Sequence, residues 1–383
     1  MLNLNNIRLI APYRVEGIKN AGLGELETWI KKNPILALDC ETTGLDVLTN
    51  QIVMMQIGTV KRQFIIDTRF VDIHLICQWL DGKLIVEQNI KFDYKQILHH
   101  YKYRLPKVFD IMNAEKVLNN NKLEEKQEGF YSLAGMASRY LGAEFEVRIK
   151  TKGKRRKVIA EQGTLFPEYS FSKGVRDEFS KIDNKPFTLQ QICYGANDVW
   201  MPLLIRRIQI KKLSENSLTE AIKLENRFLP LLAEMELKGI YLDAELWTEN
   251  YNEYQQKLTD AEEKLTGLYD INWNSSKQVV KVFKELGIPT KVIDKTKSIG
   301  ENKIYKDSVQ ETHITKYKDK YPIIKDYLEY KGLQKLSSSY GEKFLKHIHP
   351  VSNRVHSDFI QIITTGRLAS NNPNLRLMRV LFW

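Results

Sequence analysis

The sequence of 383 residues contains no long apolar run. No window approaches the roughly 18 consecutive apolar residues that a membrane-spanning helix needs. The N-terminal stretch "MLNLNNIRLI" also lacks the basic and then apolar layout of a signal peptide. These two absences predict an intracellular protein. A hydrophobic content of 43% is enough for two or three domains that each bury a core.

Cysteine is scarce. The three cysteines, Cys40, Cys77 and Cys193, form no CxxC pair and are odd in number. Neither a disulfide framework nor the ligand spacing of a zinc site is therefore indicated. We expect buried, reduced thiols.

Acidic residues are fewer than basic ones, which gives a net charge of +11. The imbalance is uneven, because residues 216–270 carry 5 basic and 12 acidic side chains, whereas residues 271–350 carry 16 and 9. Residues 148–157, "RIKTKGKRRK", carry seven basic side chains and no acidic one. This distribution favours a surface that faces a polyanion such as a nucleic acid. A merely solvated basic surface is the alternative.

The first 215 residues alternate between two periodicities. Short β-branched segments separated by turn-prone residues predict strands, and segments with apolar residues at helical spacing predict helices. The strands are predicted at 35–42, 51–60, 61–68 and 83–89, and the helices at 70–80, 90–101, 131–141 and 188–210. Strands interleaved with helices predict an α/β domain with a mixed sheet.

From residue 218 the pattern becomes helical. The segment "LTEAIKLENRFLPLLAEMELKG" is predicted to bury one apolar stripe and to end at Gly239. That stripe consists of Leu224, Phe228, Leu231, Leu232 and Met235. A later helix is predicted to begin at Ser275, which has capping-box spacing to Gln278. Residues 216–345 are therefore predicted to be a helical domain, with a loose, lysine-rich stretch at 290–320.

The stretch "LALDCETTGL" (36–45) places two carboxylates after an apolar run. Asp39 and Glu41 project from the same face of an extended chain, about 6–7 Å apart at a rise of ~3.3 Å per residue. Two such carboxylates repel each other unless a cation lies between them, and a hard divalent ion such as Mg²⁺ or Mn²⁺ suits carboxylate oxygens. An ordinary exposed strand end is the alternative for the pair taken alone.

More acidic residues follow in specific contexts. Asp93 is predicted in the first turn of a helix that follows a strand, with Asn89 four residues earlier. Tyr194 and Asp198 are spaced i, i+4, which places a phenol and a carboxylate on one helix face. The combination of these three groups is much more specific than any one of them.

The combined pattern resembles the DEDD superfamily of 3′→5′ exonucleases, in the variety whose third motif is Tyr-x-x-x-Asp. In particular, it resembles the proofreading domain of family A DNA polymerases, over most of residues 20–210 and including "YSLAGMASRYLG". Further on, "LENRFLPLLAEMELKGIYLD" resembles the join to the polymerase, "LEYKGLQKLSSSY" the thumb, and "RVHSDFIQIITTGRLASNNPNL" the segment that enters the palm. The resemblance implies a ribonuclease H-like exonuclease domain at 1–215, a thumb at 216–345 and the start of a palm at 346–383.

Site roles follow from this resemblance. Asp39, Glu41 and Asp198 would hold one divalent ion, and Asp39 with Asp93 would hold a second. Tyr194 would orient the attacking water.

Substrate contacts are also implied. Thr42, Leu45 and Asn89 match positions that hold the terminal nucleotide or touch the substrate. At the end of the thumb, contacts with phosphates are implied for Lys335, Ser338 and Tyr340, and contacts with the primer–template duplex are implied for Arg367 and Asn374. A solvated helix face is the alternative for the thumb residues.

The sequence departs from the family after "TTGRLASNNPNL". The next residues are "RLMRVLFW", where the family continues with Gln-Asn and an Ile-Pro turn. We therefore expect no DNA synthesis from this chain alone, and a separately encoded palm and fingers half is one explanation. We also expect an unmatched apolar surface within 350–383, formed by Leu375, Leu377, Leu381, Phe382 and Trp383. The basic run 148–157 is predicted to be a hairpin that follows the DNA strand, or else a solvated insertion.

The sequence thus predicts a metal-dependent 3′→5′ DNA exonuclease that uses two Mg²⁺ or Mn²⁺ ions. Its substrate would be the single-stranded 3′ end of DNA, with duplex along the thumb, hydrolysed to nucleoside monophosphates in the cytoplasm during replication or repair. Two alternatives stay open. One is an RNA-trimming exonuclease, and the other is a non-catalytic, DNA-binding part of a split polymerase.

Overall fold

A computed structural model describes residues 3–121, 129–142, 146–151, 154–159, 173–294, 303–340 and 342–375. The chain forms two compact units, the first comprising Met1–Gly239 with His356–Asn374 and the second Ile240–Val355 together with Leu375. These limits do not coincide with the predicted domains 1–215, 216–345 and 346–383, which stay predictions about family domains.

A mixed seven-stranded sheet with helices around it forms the first unit. The elements up to residue 238 are β1 (Ile7–Ile10), β2 (Lys19–Asn20), α1 (Leu23–Lys32), β3 (Ile35–Thr42), β4 (Ile52–Thr59), β5 (Arg62–Asp67), α2 (Ile73–Trp79), β6 (Leu84–Glu87), α3 (Lys91–Tyr101), β7 (Lys107–Asp110), α4 (Ile111–Asn119), α5 (Leu133–Leu141), β8 (Glu146–Thr151), β9 (Lys154–Ile159), α6 (Lys173–Glu178), α7 (Leu189–Asp198), α8 (Met201–Glu215) and α9 (Thr219–Lys238). The strand order is β2-β1-β5-β4-β3-β6-β7. Strand β4 is antiparallel to β3 and β5, whereas β3, β6 and β7 run parallel. The predicted mixed α/β fold is confirmed.

Strand β3 divides its side chains between two cores. Leu36 and Leu38 are fully buried in a core with α1, α2 and α3, whereas Ala37 is buried in a core with α4, α5 and α8. Because side chains alternate along a strand, Asp39 and Glu41 lie on the face of Ala37. The alternation of side-chain direction along β3 therefore places the two carboxylates on the Ala37 side of the sheet.

The predicted apolar stripe of α9 is largely wrong. Leu224, Leu231 and Met235 are 64%, 58% and 51% exposed. The buried face carries Ile222, Asn226, Leu229, Leu232, Ala233 and Glu236. Two polar residues can be buried because each has partners: the side chain of Asn226 accepts a hydrogen bond from the Asp110 N–H, and Glu236 pairs with two lysines of α3.

The second unit is mainly helical. Its elements are β10 (Ile240–Tyr241), α10 (Ala244–Leu268), α11 (Ser276–Glu285), β11 (Lys291–Ile293), β12 (Tyr305–Asp307), α12 (Glu311–Ile314), α13 (Pro322–Tyr340) and β13 (Arg354–Val355). Trp273, Phe283 and Tyr327 form the centre of its main core. The predicted helical region is confirmed.

Two local predictions for this unit are wrong. The stretch 290–320 is not loose in its described part, because β11 and β12 pair there and Asp307 binds Lys284 and Thr290. Ser275 is the N-cap of α11 but makes no side-chain capping bond, and Gln278 instead accepts a hydrogen bond from the Asn272 N–H.

The terminal segment His356–Asn374 belongs to the first unit and contains the paired strands β14 (Asp358–Ile360) and β15 (Ala369–Asn371). In the second unit, Leu375 packs beside Leu242, Trp247 and Phe344, so the expectation of an unmatched apolar surface is wrong for this residue. The other members of that predicted surface, Leu377, Leu381, Phe382 and Trp383, lie outside the described residues.

The basic run 148–157 falls on a two-stranded hairpin. Strands β8 and β9 pair antiparallel, with Arg148 opposite Lys157. This matches the predicted backbone, and a role in binding DNA stays a prediction.

Among the described residues, no helix combines the length and apolarity that a bilayer crossing requires.

Candidate active site

Asp39 and Glu41 lie near the end of β3, on the face that α7 covers. Glu41 is 5% exposed and Asp39 is half-buried. The register between β3 and β4 shifts after Glu41, so the regular ladder ends where the two carboxylates stand. Such an interruption beside a functional group is common at active sites, because it re-aims side chains.

Asp93 reaches the same place from α3. A tight turn with a positive φ of 65° at Asn89 joins β6 to this helix. The N–H of Asn89 donates a hydrogen bond of 3.1 Å to Asp110 Oδ1, which fixes the turn. Asp93 then lies in the first helical turn, 3% exposed, and its Oδ1 accepts a hydrogen bond of 2.9 Å from the Cys40 N–H. This bond ties Asp93 directly to β3, between Asp39 and Glu41 in sequence.

Helix α7 brings Tyr194 and Asp198. A capping box between Thr188 and Gln191 starts the helix, and Asp198 is its last residue. A carboxylate at a helix C-terminus is opposed by the helix dipole, so a nearby cation would favour it. Tyr194 lies one turn earlier and is half-buried, with its ring 6.5 Å from that of Phe179.

The carboxylates form two groups that share Asp39. Oxygens of Asp39, Glu41 and Asp198 lie within 4.8 Å of one another, and so do oxygens of Asp39, Glu87 and Asp93. Carboxylates this close repel one another in the absence of a cation. The donor set is all oxygen, which suits Mg²⁺ or Mn²⁺ rather than a softer metal.

Burial also raises the pKa values of two groups at this site. The pKa of Glu87 is well above its ordinary value because the side chain is buried, and Asp93 and Asp39 raise it further. Burial likewise raises the pKa of the Cys40 thiol, with Asp93, Asp39 and Glu41 adding to the effect. Cys40 therefore keeps its proton and is not a nucleophile. The residues present fit divalent cations.

Sequence reasoning missed two residues at this centre. Gln56 of β4 is fully buried and its Nε2 donates hydrogen bonds to Asp39 Oδ2 at 2.9 Å and, more weakly, to Glu41 Oε1 at 3.5 Å. Glu87, the last residue of β6, belongs to the second carboxylate group. A signal existed in both cases, because each is the only long polar side chain in a mostly apolar strand, "IVMMQIGT" and "LIVE".

The predicted substrate residues of the first unit lie on the loops that follow β3 and β6. Thr42 donates a hydrogen bond of 2.7 Å from Oγ1 to the Gly44 carbonyl, which shapes the first loop. Leu45, in the same loop, is 79% exposed. Asn89 forms the turn before α3. Their contacts with substrate stay predictions.

The other predicted contacts lie elsewhere in the chain. Lys335 and Ser338 are exposed on α13, where the Ser338 hydroxyl bonds the Lys335 carbonyl, and the side chain of Tyr340 lies outside the described part. Arg367 and Asn374 are exposed on either side of β15. Roles for all five stay predictions.

Comparison with known families gives the context of this site. The model of the 3′-5′ exonuclease family matches residues 19–214, and the model of DNA polymerase family A matches residues 244–380. The chain belongs to the 3′-5′ exonuclease family, and its residues 244–380 are similar to DNA polymerase family A. All four carboxylates of the predicted motifs and Tyr194 fall within the exonuclease match.

Individual relatives agree with this assignment. The chain is 27% identical over 371 residues to DNA polymerase I of Borreliella burgdorferi, covering 92% of this chain and 36% of that protein. It is 34% identical over 177 residues to DNA polymerase I of Bacillus subtilis, covering 45% of this chain and 19% of the relative. The chain thus spans about a third or less of the length of these two relatives.

A solved structure shares the fold. The POL domain of Pol1 from M. smegmatis, in complex with a DNA primer-template and dNTP, matches with a TM-score of 0.66 and 19% identity. The match covers 97% of this chain and 55% of that one.

Proposed function

We propose that this chain is a metal-dependent 3′→5′ DNA exonuclease of the proofreading type. The observation that carries the proposal is Asp39, whose carboxylate belongs to two groups of acidic oxygens, each within 4.8 Å. A carboxylate shared in this way is suited to bridge two divalent ions. The exonuclease family match over the same residues supports the assignment.

Each of the two carboxylate groups would hold one divalent ion. Asp39, Glu41 and Asp198 would hold one ion, and Asp39 and Asp93 would hold the other. When bound, such a pair of Mg²⁺ or Mn²⁺ ions lowers the pKa of water and stabilises charge on the scissile phosphate and on the leaving oxygen. The hydroxyl of Tyr194 would orient the water that attacks phosphorus.

The hydrolysis needs no reactant other than water and the DNA strand. The water oxygen bonds to phosphorus, and the bond from phosphorus to the 3′ oxygen of the preceding nucleotide breaks. The products are a nucleoside monophosphate and a strand shorter by one nucleotide, whose 3′ oxygen takes up a proton. Thr42 and Leu45 would hold the terminal nucleotide during this step, and Asn89 would touch the substrate.

DNA is the proposed substrate. The similarity of residues 244–380 to DNA polymerase family A supports it, as does the DNA primer-template bound by the structural relative. A cytoplasmic location and a separately encoded partner that carries a palm stay predictions.

The test replaces the two carboxylates of β3. Asp39→Ala with Glu41→Ala should abolish Mg²⁺-dependent release of nucleotides from a DNA 3′ end, because both ions lose ligands. The matched control is Glu25→Ala with Glu27→Ala, a pair with the same spacing on α1. The control should keep wild-type activity, and survival of activity in the β3 variant would contradict the proposal.

A further inference from the structure

Glu87 is a buried carboxylate that none of the sequence motifs uses. It is the last residue of β6, which lies between β3 and β7 in the sheet, and it is 1% exposed. Its backbone pairs opposite Asp110 of β7. A carboxylate at such a depth normally has donors around it, because burying a charge without partners is costly.

Glu87 lacks those donors, unlike the other deeply buried glutamates. Neither of its oxygens receives a hydrogen bond from a nitrogen or hydroxyl donor of the described residues. By contrast, Glu115 accepts hydrogen bonds from an arginine, a tyrosine and a glutamine. Glu236 accepts them from two lysines and a backbone N–H. A structural role of the usual kind therefore does not explain Glu87.

The surroundings of Glu87 are themselves acidic. One of its oxygens lies within 4.8 Å of oxygens from both Asp39 and Asp93. The neighbouring Asp93 carboxylate can only accept a hydrogen bond, so it favours Glu87 only while Glu87 keeps its proton. A divalent cation would offset the negative charge of these three carboxylates.

We propose that Glu87 is a third carboxylate ligand of the divalent ion held by Asp39 and Asp93. The inference rests on the proposed function for the presence of that ion and adds a ligand to it. The second ion would then have three carboxylate ligands, as the first has in Asp39, Glu41 and Asp198. The bound ion would then be the charged partner of this buried carboxylate.

The test measures metal binding by the full chain rather than catalysis. Mn²⁺ is titrated into metal-free protein, and free Mn²⁺ is counted by electron paramagnetic resonance. Wild-type protein should bind two ions. Glu87→Gln keeps the size of the side chain and removes its charge, so it should bind the first ion normally and the second at least about tenfold more weakly, the range seen when groups supporting a metal site are removed.

The control is Glu115→Gln, which changes a buried glutamate of the same unit outside the two carboxylate groups. It should bind both ions as wild type does. Thermal melting in a chelator verifies that each variant is folded, and Glu87→Gln should fold because the amide is neutral and has nearly the same size as the carboxyl group. Glu87→Ala should weaken the second ion in the same way.

Wild-type affinity for the second ion in Glu87→Gln would overturn the inference, even if Glu87→Ala bound it weakly. That result would mean that Glu87 acts through a hydrogen bond and not through its charge. A wild-type protein that binds only one ion would also overturn it. A third outcome separates the two proposals: Glu87→Gln loses the second ion, and the wild-type protein binds both ions but does not degrade DNA. This outcome would support the ligand assignment and contradict only the proposed function.

Discussion

Gln56 shows how one side chain can hold an acidic centre in place. It is the only long polar side chain in β4, it is fully buried, and its amide donates to Asp39 and Glu41. Charged acceptors make such hydrogen bonds stronger than neutral ones. The amide therefore holds the two carboxylates on one side of β3.

Replacing Gln56 should impair the site without removing a predicted metal ligand. For Gln56→Leu we expect a loss of about 10–100-fold in metal affinity or in exonuclease rate, the usual effect of removing groups that orient ligands. Mn²⁺ titration and kcat measurement test this. The control is Gln63→Leu, which removes another buried amide whose bonds run to the Thr59 and Val60 carbonyls. Equal activity of the two variants would contradict the positioning role.

Sequence motifs identify Asp39, Glu41, Asp93, Tyr194 and Asp198, because spacing along one strand or one helix is visible in the sequence. The motifs do not include Gln56 and Glu87, since the place of these two residues at the site depends on which strands are neighbours in the sheet. Strand order follows from packing between segments distant in sequence.

Among the elements, the fit between α7 and β4 sets how close Asp198 comes to β3. Gly195 of α7 lies against the Gln56 and Met54 side chains, and Gly58 of β4 lies against Val199. A Cβ at Gly58 would stand 2.8 Å from Val199 Cγ2. Glycine is therefore needed where the helix crosses the strand.

The change Gly195→Ala tests this fit. Its Cβ would stand 2.9 Å from Gln56 Cγ and 3.0 Å from Met54 Sδ, so the amide that holds Asp39 must shift. We expect a loss of about 1–3 kcal/mol in stability, the usual cost of overpacking, together with reduced exonuclease activity.

Gly332→Ala is the matched control. An added Cβ at Gly332 of α13 meets nothing within 4 Å, and alanine in a helix is favoured over glycine by about 0.5–1 kcal/mol. Denaturant unfolding and nuclease assays compare the two variants. A Gly195→Ala protein as stable and active as wild type would contradict the close fit.

Helix α9 shows where the spacing of apolar residues does not predict which face is buried. Strands β3 to β6 form at the predicted short apolar segments, whereas α9 buries Asn226 and Glu236 and exposes Leu224 and Leu231. The partners that permit this, Asp110 and two lysines of α3, lie more than a hundred residues earlier. A pattern within one helix cannot reveal partners at that distance.

On the scale of the whole molecule, the first unit is built from two stretches that are far apart in sequence, Met1–Gly239 and His356–Asn374. Glu236, 3% exposed, joins Lys91 and Lys95 of α3 to the terminal segment, because its carboxylate also accepts a hydrogen bond from the Phe359 N–H. Lys91 in turn donates to the Phe359 carbonyl. A motif assigned by resemblance to the palm is thereby part of the same compact unit as the exonuclease sheet.

Removing this carboxylate should destabilise the first unit. For Glu236→Ala we expect a loss of about 2–4 kcal/mol, somewhat below the ~3–5 kcal/mol of a fully buried pair because the lysines are partly exposed. The control is Glu234→Ala, which breaks only the exposed pair with Arg104 and the bond from Tyr94. Its effect should be clearly smaller. Chemical unfolding measures both, and equal losses would contradict the role assigned to Glu236.

The central claim is that the shared carboxylates around Asp39 serve 3′→5′ hydrolysis of DNA. The most direct measurement incubates the purified chain with 5′-labelled single-stranded DNA and Mg²⁺ and resolves the products over time. We expect stepwise shortening from the 3′ end, release of nucleoside monophosphates, and arrest by a chelator. DNA that stays at full length with Mg²⁺, or that is shortened equally well in the chelator, would contradict it.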